Sequence, residues 1–160
     1  MAKTKFPVTA AIRVLRQNQI EYSAHLYTYE EKGGTTVSAR ELGVEEHCVI
    51  KTLVMEDENR APLLILMHGD REVSTKNLAR EIGCKLIKPC DAATAEKHTG
   101  YQVGGTSPFG SRKSMQVYTE ASIFNLERIY INGGKRGYLV GLKPDGLGKV
   151  LAIQKVSVAI

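Results

Sequence analysis

The sequence predicts a single α+β domain in which strands outnumber helices. Three observations carry that prediction. Several short segments alternate apolar and polar residues with a period of two, as half-buried strands do. Other segments repeat apolar residues at helical spacing behind good capping residues. A chain of 160 residues buries about two-thirds of its unfolded surface as one domain and is short for two. One domain spanning residues 1–160 is therefore expected.

Taken in order, Pro7 opens a helical segment in which Ala11, Val14, Leu15 and Ile20 recur, ending near Asn18. The aromatic stretch YSAHLYTY at 22–29 reads as a strand. Gly33-Gly34 break the chain, and TVSARELG at 36–43 has the pattern of a short helix closed by Gly43. CVIKTLVM at 48–55 and PLLILMHG at 62–69 are strands joined as a hairpin by the charged turn Glu56-Asp57-Glu58-Asn59. Ser74 caps the helix TKNLAREIG, whose Leu78, Ala79 and Ile82 share a face and which Gly83 stops. CKLIKP at 84–89 returns as a strand, and Asp91 caps DAATAEKH, a helix running into a glycine-rich stretch. MQVYTE, ERIYINGG and GYLVGL are further strands, the last two joined by the turn GGKRG, and Pro144-Asp145 start a last helix, LGKVLA. Repeats and linkers are absent.

Composition narrows the function classes. No apolar run approaches the roughly 18 residues needed to cross a bilayer. Arg13 and Arg16 break the N-terminal stretch MAKTKFPVTAAIRVLR, which reads as an amphipathic helix and not a secretory signal. A cytoplasmic protein is expected. Cys48, Cys84 and Cys90 lack paired spacing, and His25, His47, His68 and His98 are scattered, so neither a disulfide framework nor a metal site is expected. The net charge of +5 is uneven: residues 1–80 carry 11 Lys/Arg against 11 Asp/Glu, and residues 81–160 carry 11 against 6. Arg112, Lys113, Lys135 and Arg136 form two basic clusters suited to phosphates, which fits a nucleic-acid partner as well as a solvated basic surface.

Two features carry chemistry. Strand alternation places Lys51 on one face with Val49, Leu53 and Met55, where an ammonium must either snorkel out or meet an anion. The stretch GYQVGGTSPFG at 100–110 sets Gly104, Gly105, Pro108 and Gly110 within seven positions, a shaped loop whose main-chain N–H groups a ligand can approach. The loop is no phosphate-loop motif, since it lacks GK[ST], and GTSPF at 105–109 is no G-x-S-x-G elbow. His47 and Cys48 point to opposite faces of a strand, poor geometry for a dyad. A cation and a glycine loop can stabilise negative charge without supplying a nucleophile.

IKTLVM around Lys51, TGYQVGGTSPFG at 99–110 and IYINGGKRGY at 129–138 resemble, in order and over nearly the whole chain, the YbaK family, which is related to the editing domain of prolyl-tRNA synthetase. The resemblance implies a curved, partly closed, barrel-like mixed sheet flanked by helices. It implies a trans-editing deacylase of Cys-tRNA(Pro) or Cys-tRNA(Cys), needing no cofactor or metal. Aminoacylated tRNA would be the partner at its acceptor end, and whether prolyl-tRNA synthetase presents it stays open. The family's lysine matches Lys51 and its glycine loop matches Gly104, Gly105, Ser107, Pro108 and Gly110. The tyrosine ending the family's second strand matches Tyr27, and the family's glycine turn matches Gly133 through Gly137. Lys51, Gly104 and Gly105 are thereby the catalytic candidates, the last two offering N–H groups to an oxyanion. Tyr27, Ser107, Pro108, Gly110, Gly133 and Gly134 are the substrate-binding candidates, with Arg112, Lys113, Lys135 and Arg136 against tRNA. Leu139 departs from the polar or acidic residue common in relatives.

The chemistry implied is substrate-assisted: the thiol of the attached cysteine attacks its own ester, so the enzyme class is lyase or hydrolase. Two alternatives stand beside it. One is deacylation of alanine or another small residue by an activated water, and the other is a noncatalytic tRNA- or synthetase-binding module.

Overall fold

A computed structural model describes residues 5–160, and residues 1–4 of the N-terminal stretch lie outside them. Among the described residues five α-helices flank one eight-stranded mixed sheet. The helices are α1 (Ala10–Gln17), α2 (Gly34–Leu42), α3 (Thr75–Ile82), α4 (Ala92–Thr99) and α5 (Asp145–Val150). The strands are β1 (Ser23–Leu26), β2 (Val49–Asp57), β3 (Pro62–His68), β4 (Ile87–Pro89), β5 (Gln116–Glu120), β6 (Ile129–Lys135), β7 (Tyr138–Leu142) and β8 (Ile153–Val156). Among the described residues no helix is long and apolar enough to cross a membrane.

The helices start and stop for the reasons the sequence gives. Ser74 and Asp91 accept from Asn77 N and Thr94 N, capping α3 and α4, while Gly43 and Gly83 close α2 and α3. The first helix corrects the expected start: Thr9, two residues beyond Pro7, caps α1 by accepting from Ile12 N. The strand expected over 84–89 forms only at Ile87–Pro89, paired with Met55–Asp57 of β2. The last helix begins at Asp145, directly after Pro144. β8 was not expected. Its four residues gain stability from the parallel register Val117↔Ile153 through Glu120↔Val156 with β5.

The sheet order is β1-β7-β6-β2-β3-β5-β8, with β4 attached to β2. β2–β3, β6–β7 and β1–β7 are antiparallel hairpin or neighbour pairs, whereas β2–β6, β3–β5 and β5–β8 are parallel. The expected mixed sheet with flanking helices is present, but it is open: among the described residues β1 and β8 form two free edges and do not pair. Right-handed twist without that last pairing curls a sheet and does not close it.

The two faces are covered differently. One face, with Ile50, Val54, Leu64, Leu66, Val117, Ile131 and Val140, is sealed by Ala11, Ile12 and Leu15 of α1, Ala95 of α4 and Leu147 of α5. Each Val, Leu or Ile side chain among them contributes about 1.5–3 kcal/mol by leaving water. The other face carries two separate apolar clusters. Met55, Leu63, Ile65 and Met67 pack beneath Leu78 and Ala79 of α3. Val49 and Leu139 pack beneath Ala39 of α2, with Tyr27 and Tyr130 at their margin. Between the two clusters on β2 lies Lys51.

Candidate functional site

Register builds the site between those two clusters. β2 and β6 run parallel through Val49↔Tyr130 and Ile50↔Ile131, so continuing that register brings Lys51 beside Asn132. Asn132 pairs with Leu139 of β7, and Leu139 with His25 of β1. His25, Leu139, Asn132 and Lys51 thus form one row on the face shared by α2 and α3. Lys51 is mostly covered, with 19% of its side chain exposed. Its ammonium donates to the Arg71 carbonyl at 2.6 Å and lies 3.5 Å from the exposed Glu72 carboxylate. The segment it grips is fixed in turn by the C-terminus, Glu72 and Ile160 exchanging two main-chain hydrogen bonds.

The glycine loop reaches the same row through Asn132. β6 bulges between Asn132 and Lys135. At the bulge Asn132 Oδ1 accepts from Gly134 N at 2.7 Å and Lys135 N at 3.1 Å, which leaves Nδ2 to donate to the Gly104 carbonyl at 3.1 Å. Arg136 closes the contact from the hairpin tip. Its Nε donates to Val103 O at 2.8 Å and its guanidinium lies 5.1 Å from the centre of the Tyr29 ring. The opening glycines are needed for close approach: a Cβ on Gly104 (φ +90°) would stand 2.6 Å from the Tyr29 hydroxyl, and one on Gly105 2.8 Å from Arg136 N.

Each candidate named from sequence can now be placed. Gly104 is exposed, and its N–H makes no hydrogen bond among the described residues. The expected second oxyanion donor is not free, because Gly105 N–H already donates to Gln102 O at 2.8 Å. Ser107 has no exposed surface and its hydroxyl accepts from Phe109 N, so it shapes the loop from inside, beside buried Pro108. Gly110 backs onto Ala10, where a Cβ would meet its carbonyl at 2.9 Å. Gly133 and Gly134 back onto Tyr138 and Tyr101, and the Gly133 carbonyl accepts from Thr9 at 2.5 Å. They make the bulge that aims Asn132. Tyr27 follows β1, the first strand here; its N–H donates to Gly137 O, its ring joins Leu139, and burial raises its pKa.

The basic residues divide. Lys135 is exposed, but Arg136 is already committed to the loop and to Tyr29. Arg112 and Lys113 are exposed on the far side of the loop, where their N–H groups satisfy Thr99 O and His98 O at the end of α4. The loop itself is braced by Tyr101, whose hydroxyl donates to Phe109 O at 2.5 Å and whose pKa burial pushes up to about 12.

Asn132, Tyr29 and Glu72 were not singled out from sequence. A signal for Asn132 existed, since it immediately precedes a Gly-Gly pair inside a strand, where a bulge is expected. One further pairing was missed: Ser122 Oγ lies 2.7 Å from His68 Nε2, and His68 Nδ1 bonds His47 O. His68 pairs with Ile50 and so lies on the opposite face of the sheet from Lys51. Among the described residues no three His, Cys, Asp or Glu side chains gather as metal ligands do.

The arrangement offers a mostly covered cation, a free main-chain N–H and an apolar wall, a set suited to holding an anionic or ester-bearing group while excluding water. The profile of the family described as "Aminoacyl-tRNA editing domain" matches residues 30–150. The chain is 30% identical over 149 residues to the Enterococcus faecalis protein named "Putative Cys-tRNA(Pro)/Cys-tRNA(Cys) deacylase EbsC", covering 92% of this chain and 91% of that one. It is 32% identical over 149 residues to a proline–tRNA ligase of Thermodesulfovibrio yellowstonii, covering 90% of this chain but only 23% of the ligase. Its fold matches the crystal structure of "a putative trans-editing enzyme for prolyl tRNA synthetase" with a TM-score of 0.82 and 19% identity, covering 97% of this chain and 99% of that one.

Proposed function

We propose, from the premise that this chain belongs to the aminoacyl-tRNA editing domain family, that it is a deacylase that removes cysteine from mischarged Cys-tRNA(Pro) with the substrate's own thiol as nucleophile. The whole of residues 1–160 is read as this one editing domain, working in the cytoplasm on the acceptor end of tRNA. The names of the relatives in Enterococcus and among the proline–tRNA ligases support the substrate class.

The observation that carries the reading is the β2–β6 register, which leads from Val49↔Tyr130 and Ile50↔Ile131 toward Lys51 and Asn132, with Asn132 bonded in turn to the Gly104 carbonyl of the glycine loop. There Lys51 anchors the terminal phosphate or ribose, exchanging its Glu72 contact for the substrate. The Gly104 N–H faces the ester oxygen. As the substrate sulfur bonds to the ester carbon, the bond from that carbon to the ribose oxygen breaks and the thiol proton passes to that oxygen. The product is a four-membered cyclic thioester, which water opens to cysteine. Attack within one molecule can gain an effective molarity of about 10⁵ M when its geometry is right, so the protein need only position and stabilise. The protein's own thiols are poorly suited to the task. Burial, with Glu45, raises the Cys48 pKa, burial with Glu58 raises that of Cys84, and burial with Glu56 pushes Cys90 up to about 11.

Selectivity follows from the chemistry. A pocket separates side chains differing by one methylene by only about 10–200-fold, whereas a reaction needing a substrate thiol spares prolyl-tRNA altogether. Deacylation of tRNA(Pro) charged with cysteine, alanine or proline tests this. Cysteinyl ester should be cleared fastest and prolyl ester left intact. Equal clearance of alanine would replace the thiol with an activated water, and binding without any turnover would make the protein a noncatalytic module.

A further inference from the structure

A second cationic site lies along α4, apart from Lys51. A cleft of about 420 Å³ opens between the β2–β3 turn and α4, lined by Arg60, Lys88, Lys97 and His98 together with Glu56 and Asp91. Both carboxylates are occupied. Glu56 lies 3.7 Å from Lys88 Nζ, and Asp91 accepts from Thr94 N at 2.7 Å as the cap of α4. Arg60 and Lys97 are exposed and belong to no ion pair among the described residues, and the lining holds three cations, Arg60, Lys88 and Lys97, against two carboxylates.

The cleft is mechanically one piece with the glycine loop. Thr94, Lys97 and His98 lie on one side of α4 at helical spacing. His98 O and Thr99 O accept from Lys113 N and Arg112 N, so the exposed basic pair continues the cationic surface from the end of the helix. Glu96 on the same helix accepts from Val103 N at 3.4 Å, one residue before Gly104. Arg60 and Lys97 in the cleft, and Arg112 and Lys113 bonded through their main chain to the end of the same helix, are thus two exposed cationic pairs and not one. A lone small anion needs a single pair, whereas a nucleic-acid backbone presents charge at regular intervals.

We propose that this cleft holds backbone phosphate of the tRNA acceptor arm, upstream of the terminal nucleotide that enters beside Gly104. The proposal rests on the deacylase reading for its choice of RNA. It makes Arg60 and Lys97 binding residues that contribute affinity for long substrates and nothing to the chemistry at the ester.

The test is the Arg60→Gln, Lys97→Gln double variant of the full chain, assayed on cysteinyl tRNA(Pro) and on a cysteinyl trinucleotide carrying only the 3′ end. On full tRNA kcat/KM should fall at least tenfold near 0.1 M salt, mostly through KM. The log–log salt slope should flatten by about 1.4–1.8 for two lost phosphate contacts. Turnover of the trinucleotide should be unchanged. Equal losses on both substrates, or none on either, would overturn the proposal. If the wild-type protein cleaves neither substrate, the deacylase reading itself fails, and binding of uncharged tRNA is read instead: a flattened slope in the double variant still supports the cleft, and an unchanged slope overturns it. Inorganic phosphate, titrated alone, separates the remaining source. Submillimolar phosphate binding that the double variant loses while keeping full tRNA affinity would assign the cleft to a small anion and overturn the proposal.

Discussion

At the scale of single residues, Lys51 and Arg136, both expected to meet substrate, already have partners within the chain. Lys51 is not a cation awaiting its first anion, because Arg71 O and Glu72 already hold it. Lys51→Ala should lower kcat/KM by about 10²–10³, the cost of losing one preorganised electrostatic contact. Its thermal unfolding should shift by no more than about 1 kcal/mol, since the lost partners are a solvent-facing carboxylate and one carbonyl. Collapse of the fold would make the lysine structural. Arg136, expected against tRNA phosphate, donates to Val103 O and lies over Tyr29, and we propose that this clamp is its main role. A lysine keeps the charge but cannot reproduce the planar donor and stacking. Arg136→Lys should therefore lower kcat and leave the salt dependence of tRNA binding unchanged, and full activity in that variant would return Arg136 to the phosphate role. His68 gives a pH signature. Burial lowers its pKa below the ordinary value near 6.5. The unfolded chain therefore takes up the proton first, so this contribution to stability is present above pH 6.5 and is lost as pH falls below it. The melting temperature should drop between pH 7 and pH 5, and His68→Gln should flatten that drop, as thermal scans at the two pH values would show.

At the scale of elements, local patterns were legible wherever period and punctuation agreed. Ser74, Asp91, Gly43 and Gly83 mark helix ends in the sequence and do so in the structure. The β2–β3 hairpin follows from two apolar runs and a charged turn. What was not legible depends on partners distant in sequence. β8 exists because β5 pairs with it, and the β2–β6 register that sets Lys51 beside Asn132 crosses some eighty residues of chain. The glycine loop was visible as a shaped segment, but which N–H groups are free could not be read from it, because the turn bond from Gly105 to Gln102 is a matter of backbone angles. Its packing against the β6–β7 hairpin gives a direct test. Gly105→Ala places a Cβ 2.8 Å from Arg136 N, a backbone atom that cannot swing aside. The loop must lift from the hairpin, so deacylation should fall more than tenfold while circular dichroism keeps the native helix and strand content. Normal turnover would show that the loop works without that contact.

At the scale of the whole molecule, the sheet separates two tasks. One face is sealed by α1, α4 and α5 as a continuous core, and the other carries two separate apolar clusters, under α2 and α3, with Lys51 between them. Part of the excess positive charge of residues 81–160 stands just after the glycine loop, at Arg112 and Lys113, and at the β6–β7 hairpin tip, at Lys135 and Arg136. Neutralising Arg112, Lys113 and Lys135 together should flatten the log–log salt slope of tRNA binding by about 2–2.7, and an unchanged slope would place the RNA on another surface. The expected mixed sheet flanked by helices is present, but it is open and gains β8, since twist and curvature are local whereas the pairing of distant strands and of two sheet edges is a property of the whole chain. The central claim is that this scaffold positions an ester whose own thiol does the chemistry. The most direct measurement is the ratio of kcat/KM for cysteinyl and seryl esters of one tRNA(Pro), taken with a Cys48→Ser, Cys84→Ser, Cys90→Ser variant. Serine is nearly isosteric with cysteine, but its neutral hydroxyl is far the weaker nucleophile near pH 7. The account predicts that the variant clears cysteinyl ester at the wild-type rate and favours it over seryl ester by at least about 100-fold, a difference of some 2.7 kcal/mol in barrier. Equal rates on the two esters, or loss of activity in the variant, would contradict it.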